Sequence, residues 1–215
     1  MTRIDAGKSV LSANDAQALR NFERWSSTGL VAVNVMASPG AGKTSVIAGL
    51  LARLPKQLRN GVIEGDVASS LDTDKLIAMG FRATQINTNG ACHLDASMVS
   101  SAIEALGVAG PGFVFIENIG NLICPVDFKL GESVRLAIAS VPEGDDKPVK
   151  YPGIFAAVDA IVLNKTDLLG HVDFKMDFFT RGVRAVNSTA EMFNVSCKTG
   201  EGLQAVADWL VARRG

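Results

Sequence analysis

Cysteine is scarce in this chain of 215 residues: there are three, an odd number. So few thiols exclude a disulfide framework and point to a reducing compartment. Charge of one sign is not in excess either, with 21 Lys and Arg against 22 Asp and Glu and a formal net charge of −1. That balance leaves no electrostatic ground for binding nucleic acid or an acidic membrane face. No apolar run approaches the ~18 residues that suggest a spanning helix. Residues 1–20 mix charged and polar groups where a signal peptide needs an apolar stretch. Internal repeats and low-complexity tracts are lacking too. What remains is a chain with 47% apolar and 20% charged residues, close to globular averages and unlike a disordered tail or a coiled coil. Its length suits one large α/β domain or two small ones. A soluble, cytoplasmic protein is expected.

The pattern along the chain predicts an N-terminal helical segment within residues 1–28, centred on Asn14–Trp25, and a single nucleotide-binding domain over 29–215. Strands are expected at Val31–Ala37, Val62–Glu64, Ala83–Asn87, Phe113–Glu117, Val134–Val141, Ala160–Asn164 and Met192–Ser196. Helices are expected between them at Lys43–Leu54, Leu71–Met79, Ala96–Leu106, Tyr151–Val158, Phe174–Phe179 and Gly202–Arg213. Runs such as Phe113-Val-Phe-Ile and Ala160-Ile-Val-Leu are apolar on both faces. They indicate a mostly parallel central sheet flanked by helices, an α/β fold. The polar stretch Pro142–Pro148 lies between two core strands and reads as a surface loop.

The first strand runs into Ala37-Ser-Pro-Gly-Ala-Gly-Lys-Thr44 and then an apolar helix. This is a P-loop with Ala37 in place of the usual first glycine. Pro39, Gly40, Ala41 and Gly42 form the turn whose N–H groups face a phosphate at the helix N-terminus. Lys43 then reaches the β/γ-phosphates, the Thr44 hydroxyl meets Mg²⁺, and Ser45 follows in the helix. The sixth strand ends in Asn164-Lys165-Thr-Asp167 and the last in Ser196-Cys197-Lys198. Alone, an Asn-Lys-x-Asp tetrapeptide is usually just a polar turn. Here it ends a buried strand and a second loop follows it. An Asp carboxylate accepts from guanine N1–H and the exocyclic amine, a donor pair adenine lacks, so GTP and GDP are the expected nucleotides. All these segments fall at strand carboxyl ends, where such sheets bind ligands.

Two more strand ends carry carboxylates. Glu117, after Phe113-Val-Phe-Ile, has the position of a Walker B acid that holds Mg²⁺. Asp66 and Asp72 are candidates for the first switch, as magnesium ligands or for aligning water. Asp72, just inside a helix start, reads equally well as a helix-end acid. Lys43, Asp66, Asp72 and Glu117 form the expected catalytic set, and Gly120 is the expected hinge of the second switch. No Gln follows Gly120, so slow hydrolysis is expected.

Cys92 and His93 are adjacent, and Cys124 lies in the segment after Glu117. Thiolates and imidazole suit Zn²⁺ or Ni²⁺ rather than Mg²⁺. The helix expected from Ala96 lowers the Cys92 pKa if it acts through its dipole. Three ligands are one short of closed tetrahedral coordination, which fits an open or shared site. The plainer alternative, two structural cysteines and a chance histidine, stays open at this point. His171 stands alone in a polar loop, and Cys197 counts through its backbone.

Taken together, Ser38-Pro-Gly-Ala-Gly-Lys-Thr, Glu64-Gly-Asp-Val, Gln85-Ile-Asn-Thr, Cys92-His-Leu-Asp-Ala, Glu117-Asn-Ile-Gly-Asn-Leu-Ile-Cys-Pro125 and Glu143-Gly-Asp-Asp-Lys-Pro148 resemble the HypB family, GTPases of the SIMIBI class that assist nickel insertion into [NiFe]-hydrogenase. The likeness runs from about Leu11 to the C-terminus. The Cys-Pro-His triplet typical of the related urease accessory GTPase is missing. The resemblance implies GTP-dependent homodimerisation, with Cys92, His93 and Cys124 binding nickel or zinc at the subunit interface. It also implies work with a HypA-type metallochaperone and the hydrogenase large-subunit precursor, and a role for Lys147 at the opposite subunit's nucleotide. Residues before the P-loop contain no Cys or His, so the interface site is the one metal-carrying site expected. The competing expectation is a P-loop ATP-dependent kinase or transferase with structural cysteines.

Overall fold

The first strand, β1 (Leu30–Ala37), is buried at every position and sets the frame. Its odd-numbered residues Val31, Val33 and Val35 pack into one apolar core with α2 and α8, while Leu30 and Ala32 face a second core on the other side. A strand buried on both faces sits in the middle of a sheet with helices on each side. In the computed structural model, which describes residues 6–66 and 70–214, β1 does so. Residues 1–5 of the expected N-terminal segment, and Val67 of the Glu64–Val67 motif, lie outside the described residues.

The elements alternate: α1 (Ala6–Ser26), β1, α2 (Lys43–Leu51), β2 (Gly61–Asp66), α3 (Leu71–Ala78), β3 (Ala83–Asn87), α4 (Ala96–Leu106), β4 (Gly112–Glu117), β5 (Val134–Ser140), α5 (Lys147–Lys150), α6 (Pro152–Ala156), β6 (Ala160–Asn164), α7 (Met176–Val186), β7 (Glu191–Asn194) and α8 (Leu203–Ala212). The sheet order is β3-β2-β4-β1-β5-β6-β7 and every pairing is parallel, so the expected mostly parallel sheet is wholly so. The chain builds outwards from β1 on one side, then crosses to the other after β4. Its direction of winding changes beside β1, where open α/β sheets leave a ligand crevice.

Most elements match the sequence expectation, and the differences have local causes. Helix α7 extends to Val186 instead of ending at Phe179, because Phe179 and Val183 lie one turn apart on its buried face. Phe174 belongs to the preceding turn, its N–H bonded to the Val172 carbonyl. The helix expected over Tyr151–Val158 is the short α6, and the polar 142–148 loop contains the start of α5, with Pro148 buried. β7 ends at Asn194, not Ser196, since the Ser196 N–H turns away to the Glu201 carbonyl. β5 stops at Ser140, where a 3-10 turn over Val141–Glu143 begins, with Pro142 in its first turn. Helix α1 starts well before Asn14, at Ala6. It lies on the α4 side of the sheet, its Trp25 sharing a core with Leu94, Val99, Ile103 and Leu130.

Candidate functional site

The P-loop is positioned by its neighbours in the fold. Ala37 is the last residue of β1, fully buried and paired with Ile138 of β5, so this corner needs a small residue but not a glycine. Gly42 does need to be glycine: its φ is +95°, and a Cβ there would lie 2.5 Å from the Asn164 Nδ2. Gly40 also has positive φ, with open space beside it. Asn164 is buried and bridges three segments, donating from Nδ2 to the Ala41 carbonyl at 3.0 Å and accepting from the Cys197 N–H at 3.4 Å. Lys165, itself in the left-handed region at φ 61°, donates to the Gly40 carbonyl at 2.7 Å. The Ser196 hydroxyl bonds Asp167 Oδ1 at 2.6 Å. Loops 164–167 and 196–198 are thereby fixed to each other and to the P-loop, with Lys198 exposed. Burial pushes the Cys197 thiol pKa up, opposed by a hydrogen bond to Asn164, so its backbone is the part available for recognition. A cleft of about 560 Å³ opens here, lined in part by Thr44, Ser45, Asp72, Lys75, Cys197 and Lys198.

Next to Thr44 stands a pair of carboxyls. Glu117 at the end of β4 is opposite Glu64 of β2 in the strand register, and both are buried. The Thr44 hydroxyl donates to Glu117 Oε1 at 3.1 Å, and Lys43 Nζ lies 4.0 Å from the same oxygen. Each carboxyl keeps one buried oxygen, Oε2, with no hydrogen-bond partner. Burial first, then the negative Glu117 beside it, raises the Glu64 pKa to about 8. Burial raises that of Glu117 to about 7, against the pull of Lys43. Each raises the cost of ionising the other, so the pair tends to retain a proton between them. Glu64 was not among the expected site residues. Within an apolar strand it reads as an interior position, and only the cross-strand register with Glu117 reveals it.

Asp66 ends β2 and is half-buried. Asp72 lies in the first turn of α3, pairs with Lys75 at 2.7 Å, and is close enough to both glutamates to raise their pKa values. Gly120 acts by close packing rather than unusual torsion: a Cβ would lie 3.0 Å from Pro39 Cγ, so the segment after β4 abuts the P-loop. Glu143, from the polar loop, also reaches the P-loop, accepting from the Ser38 hydroxyl and from Ser140 Oγ at 2.8 Å. Lys147 lies over the Tyr151 ring, 5.3 Å from its centroid.

The second cluster lies beyond the end of β4. Cys92 is exposed, with His93 Nδ1 3.6 Å from its sulfur and the Cys124 thiol near enough to raise its pKa. The His93 ring stacks on Phe128 at 3.7 Å. Cys124 opens a 3-10 turn, its N–H bonded to Asn121 Oδ1 at 3.3 Å. The dipole expectation for Cys92 is corrected. The Cys92 pKa is raised, first by the hydrogen bond to Cys124 and then by desolvation. Helix α4 starts only at Ala96, where Asp95 caps it by accepting from Met98 N–H at 2.8 Å. Among the described residues no group of three or more His, Cys, Asp or Glu is arranged to hold a metal ion within one chain. His171 is exposed, as expected.

A parallel sheet with a glycine-turned loop between β1 and α2, a lysine and threonine at that helix start, and carboxyls on the adjacent strand ends define a P-loop nucleotide-binding protein. The profile of the CobW/HypB/UreG nucleotide-binding domain matches residues 31–194. Hydrogenase maturation factor HypB of Rhizobium leguminosarum is 45% identical over 207 residues, which cover 96% of this chain and 69% of that protein. A solved structure of HypB from Helicobacter pylori in complex with nickel superposes with a TM-score of 0.88 at 35% identity, covering 94% of this chain and 95% of that one. HypB from Archaeoglobus fulgidus does so with a TM-score of 0.87 at 36% identity, over 95% and 100%. The chain belongs to the HypB family of hydrogenase maturation factors. No described helix is long and apolar enough to cross a membrane.

Proposed function

We propose that this protein binds and slowly hydrolyses GTP and uses the nucleotide state to control a nickel ion carried by Cys92, His93 and Cys124 during hydrogenase maturation. The observation that carries the nucleotide half is the joining of Asn164, Asp167 and Ser196 to the P-loop. Asp167 spends one carboxylate oxygen on Ser196, which holds the group in place to accept from a guanine. Asn164 braces the loops, Lys165 lies along the P-loop, and the 196–198 backbone meets the guanine O6. Pro39, Gly40, Ala41, Gly42 and Lys43 cradle the phosphates, with Ser45 continuing the first turn of α2.

Mg²⁺ fits the carboxyl pair: the Thr44 hydroxyl and Glu117 are already in contact, and two buried carboxyl oxygens have no partner. Thr44 and Glu117 would hold it, with Asp66 and Asp72 in the first switch, and it would neutralise charge developing on the phosphates. Lys43 orients the transferred phosphoryl, while the 118–124 segment, packed against Pro39 through Gly120, responds to its presence or loss. Nickel is the cargo. Two thiols and one imidazole from one chain leave coordination open, which suits completion by a second copy in a nucleotide-dependent homodimer. Zn²⁺ competes for the same soft ligands. Lys147 serves the opposite subunit's nucleotide in that dimer. A HypA-type metallochaperone and the hydrogenase large-subunit precursor are the proposed partners, in the cytoplasm.

The test of the nucleotide half is base choice. Wild type should prefer GTP over ATP strongly, and Asp167→Asn should lose GTP affinity while gaining xanthosine triphosphate, since the exchanged amide reverses the hydrogen-bond pattern. No gain for the xanthine base, measured by titration with labelled nucleotide, would mean that Asp167 does not face it.

A further inference from the structure

The residue after Glu117 is a fully buried asparagine whose side chain touches neither proposed ligand site directly. Asn118 Oδ1 accepts the N–H of Leu94 at 3.3 Å and that of Ile119 at 2.9 Å, and its Nδ2 donates to Asn34 Oδ1 at 3.2 Å. Its backbone N–H bonds the Val35 carbonyl of β1 at 3.0 Å, two residues before the strand ends in the P-loop. Leu94 is itself fully buried and follows Cys92 and His93 directly. The Leu94 side chain fills the space over Gly65, between Glu64 and Asp66, where a Cβ would lie 2.9 Å from it.

The hydrogen bonds continue past Asn118. Asn34 Nδ2 donates to Glu132 Oε1 at 3.2 Å, and Glu132 Oε2 accepts from the Leu130 N–H at 2.6 Å. Asn21 of α1 then bridges the Leu130 carbonyl at 2.9 Å to the Ala96 carbonyl at 2.7 Å, just beyond Leu94. The far side of the Cys92-His93 loop is thus anchored to α1, and its near side to the strand end that carries Glu117. The bond between the Leu94 N–H and Asn118 Oδ1 is buried away from water, so a shift of the β4 end must move the Leu94 amide or break that bond at a cost.

We infer that Asn118 is the positioning residue through which the nucleotide state sets the placement of the Cys92-His93 loop relative to Cys124. This rests on the proposed nickel site and deepens it. Backbone motion at Glu117–Ile119 is handed to Leu94 by the side-chain Oδ1 of Asn118, while the same segment carries Cys124 further along. A coupling of this kind is reciprocal and is typically about 5–150-fold in affinity.

The experiment titrates Ni²⁺ against a chromophoric chelator, with GDP and with a GTP analogue, at fixed pH. It compares wild type, Asn118→Ala and Asn21→Ala. Wild type should show nickel affinities in the two nucleotide states that differ within the usual range. In Asn118→Ala the ratio should fall to within about two-fold of unity with nucleotide affinity retained, whereas Asn21→Ala, which loosens the α1 anchor only, should keep it. An unchanged ratio in Asn118→Ala, or an equal collapse in Asn21→Ala, overturns the assignment to Asn118 and leaves the proposed function standing. A wild type without any difference overturns both. Should Asn118→Ala not fold, amide hydrogen exchange on the wild type decides. Protection of the Leu94 and Ile119 amides that differs between the two nucleotide states supports the coupling, and identical protection overturns it.

Discussion

At the scale of single residues, the Glu64–Glu117 pair is the most unusual chemistry in the molecule. Two adjacent buried carboxyls are expensive to ionise together, and one proton shared between them is the cheapest arrangement in the absence of a cation. Their folded pKa values, about 8 and about 7, lie above the value of about 4.3 for an unfolded glutamate. The folded protein therefore binds more protons than the unfolded chain between these limits, so its stability falls as pH rises through them. In chelator and without nucleotide, the melting temperature should decline from pH 5 to pH 8. Glu64→Gln, which keeps the shape but does not titrate, should decline less steeply. Parallel slopes for the two proteins in thermal denaturation would show that Glu64 is not protonated in the fold. Sequence reasoning found Glu117 because a strand end beside a P-loop is a local signature. It passed over Glu64 because the partner that makes it unusual lies on another strand.

The same contrast runs through the elements. Strand ends, the P-loop and both base-side loops were readable because each is specified by a short contiguous stretch: an apolar run, then glycines or polar residues. The sheet's parallel character followed from strands such as β4 that are apolar on both faces. What escaped was set by contacts between distant segments: the extension of α7 and the docking of Glu143 on Ser38. Helix α1 belongs in this group. It read as a helical segment ahead of the nucleotide domain, yet its buried Asn14 and Asn21 carry out a joining task. Asn14 accepts from the Ala96 N–H at 2.9 Å and donates to the Lys129 carbonyl at 2.8 Å, parallel to the Asn21 bridge. Gly131 fits beneath them only because it lacks a side chain, a Cβ there falling 2.4 Å from that of Asn21. Asn21→Ala leaves two inward-facing carbonyls short of a donor, a loss of about 1–3 kcal/mol. For a chain of this size that lowers the melting temperature by roughly 2–4 °C per kcal/mol. A melting temperature equal to wild type would mean that water or a shift of α1 replaces the amide.

For the whole molecule, the issue is what a sheet with the two proposed ligand sites on one edge gains from a second copy. Cys92 lies near Cys124, and His93 stands beside it with its ring held by Phe128, but among the described residues one chain supplies no closed set of ligands. In the proposed function, soft metal and nucleotide are served by separate side chains, and only Cys124 lies on the backbone after β4. Truncating a sulfur should therefore remove one function and spare the other. Cys92→Ala and Cys124→Ala are each expected to reduce bound nickel to background, while GTP affinity measured without nickel stays within about two-fold of wild type, because neither sulfur lines the nucleotide cleft. Metal analysis and sizing of the same samples, with GDP and with a GTP analogue, separate the contributions to assembly. If nickel joins the two copies, the wild-type dimer should strengthen on adding metal by mass action, and neither variant should respond. Dimerisation driven by nucleotide alone should persist in both variants, because Cys92 and Cys124 do not line the cleft beside the P-loop. Nickel retained at wild-type level in both variants would reduce these sulfurs to packing groups and move the cargo site elsewhere on the molecule.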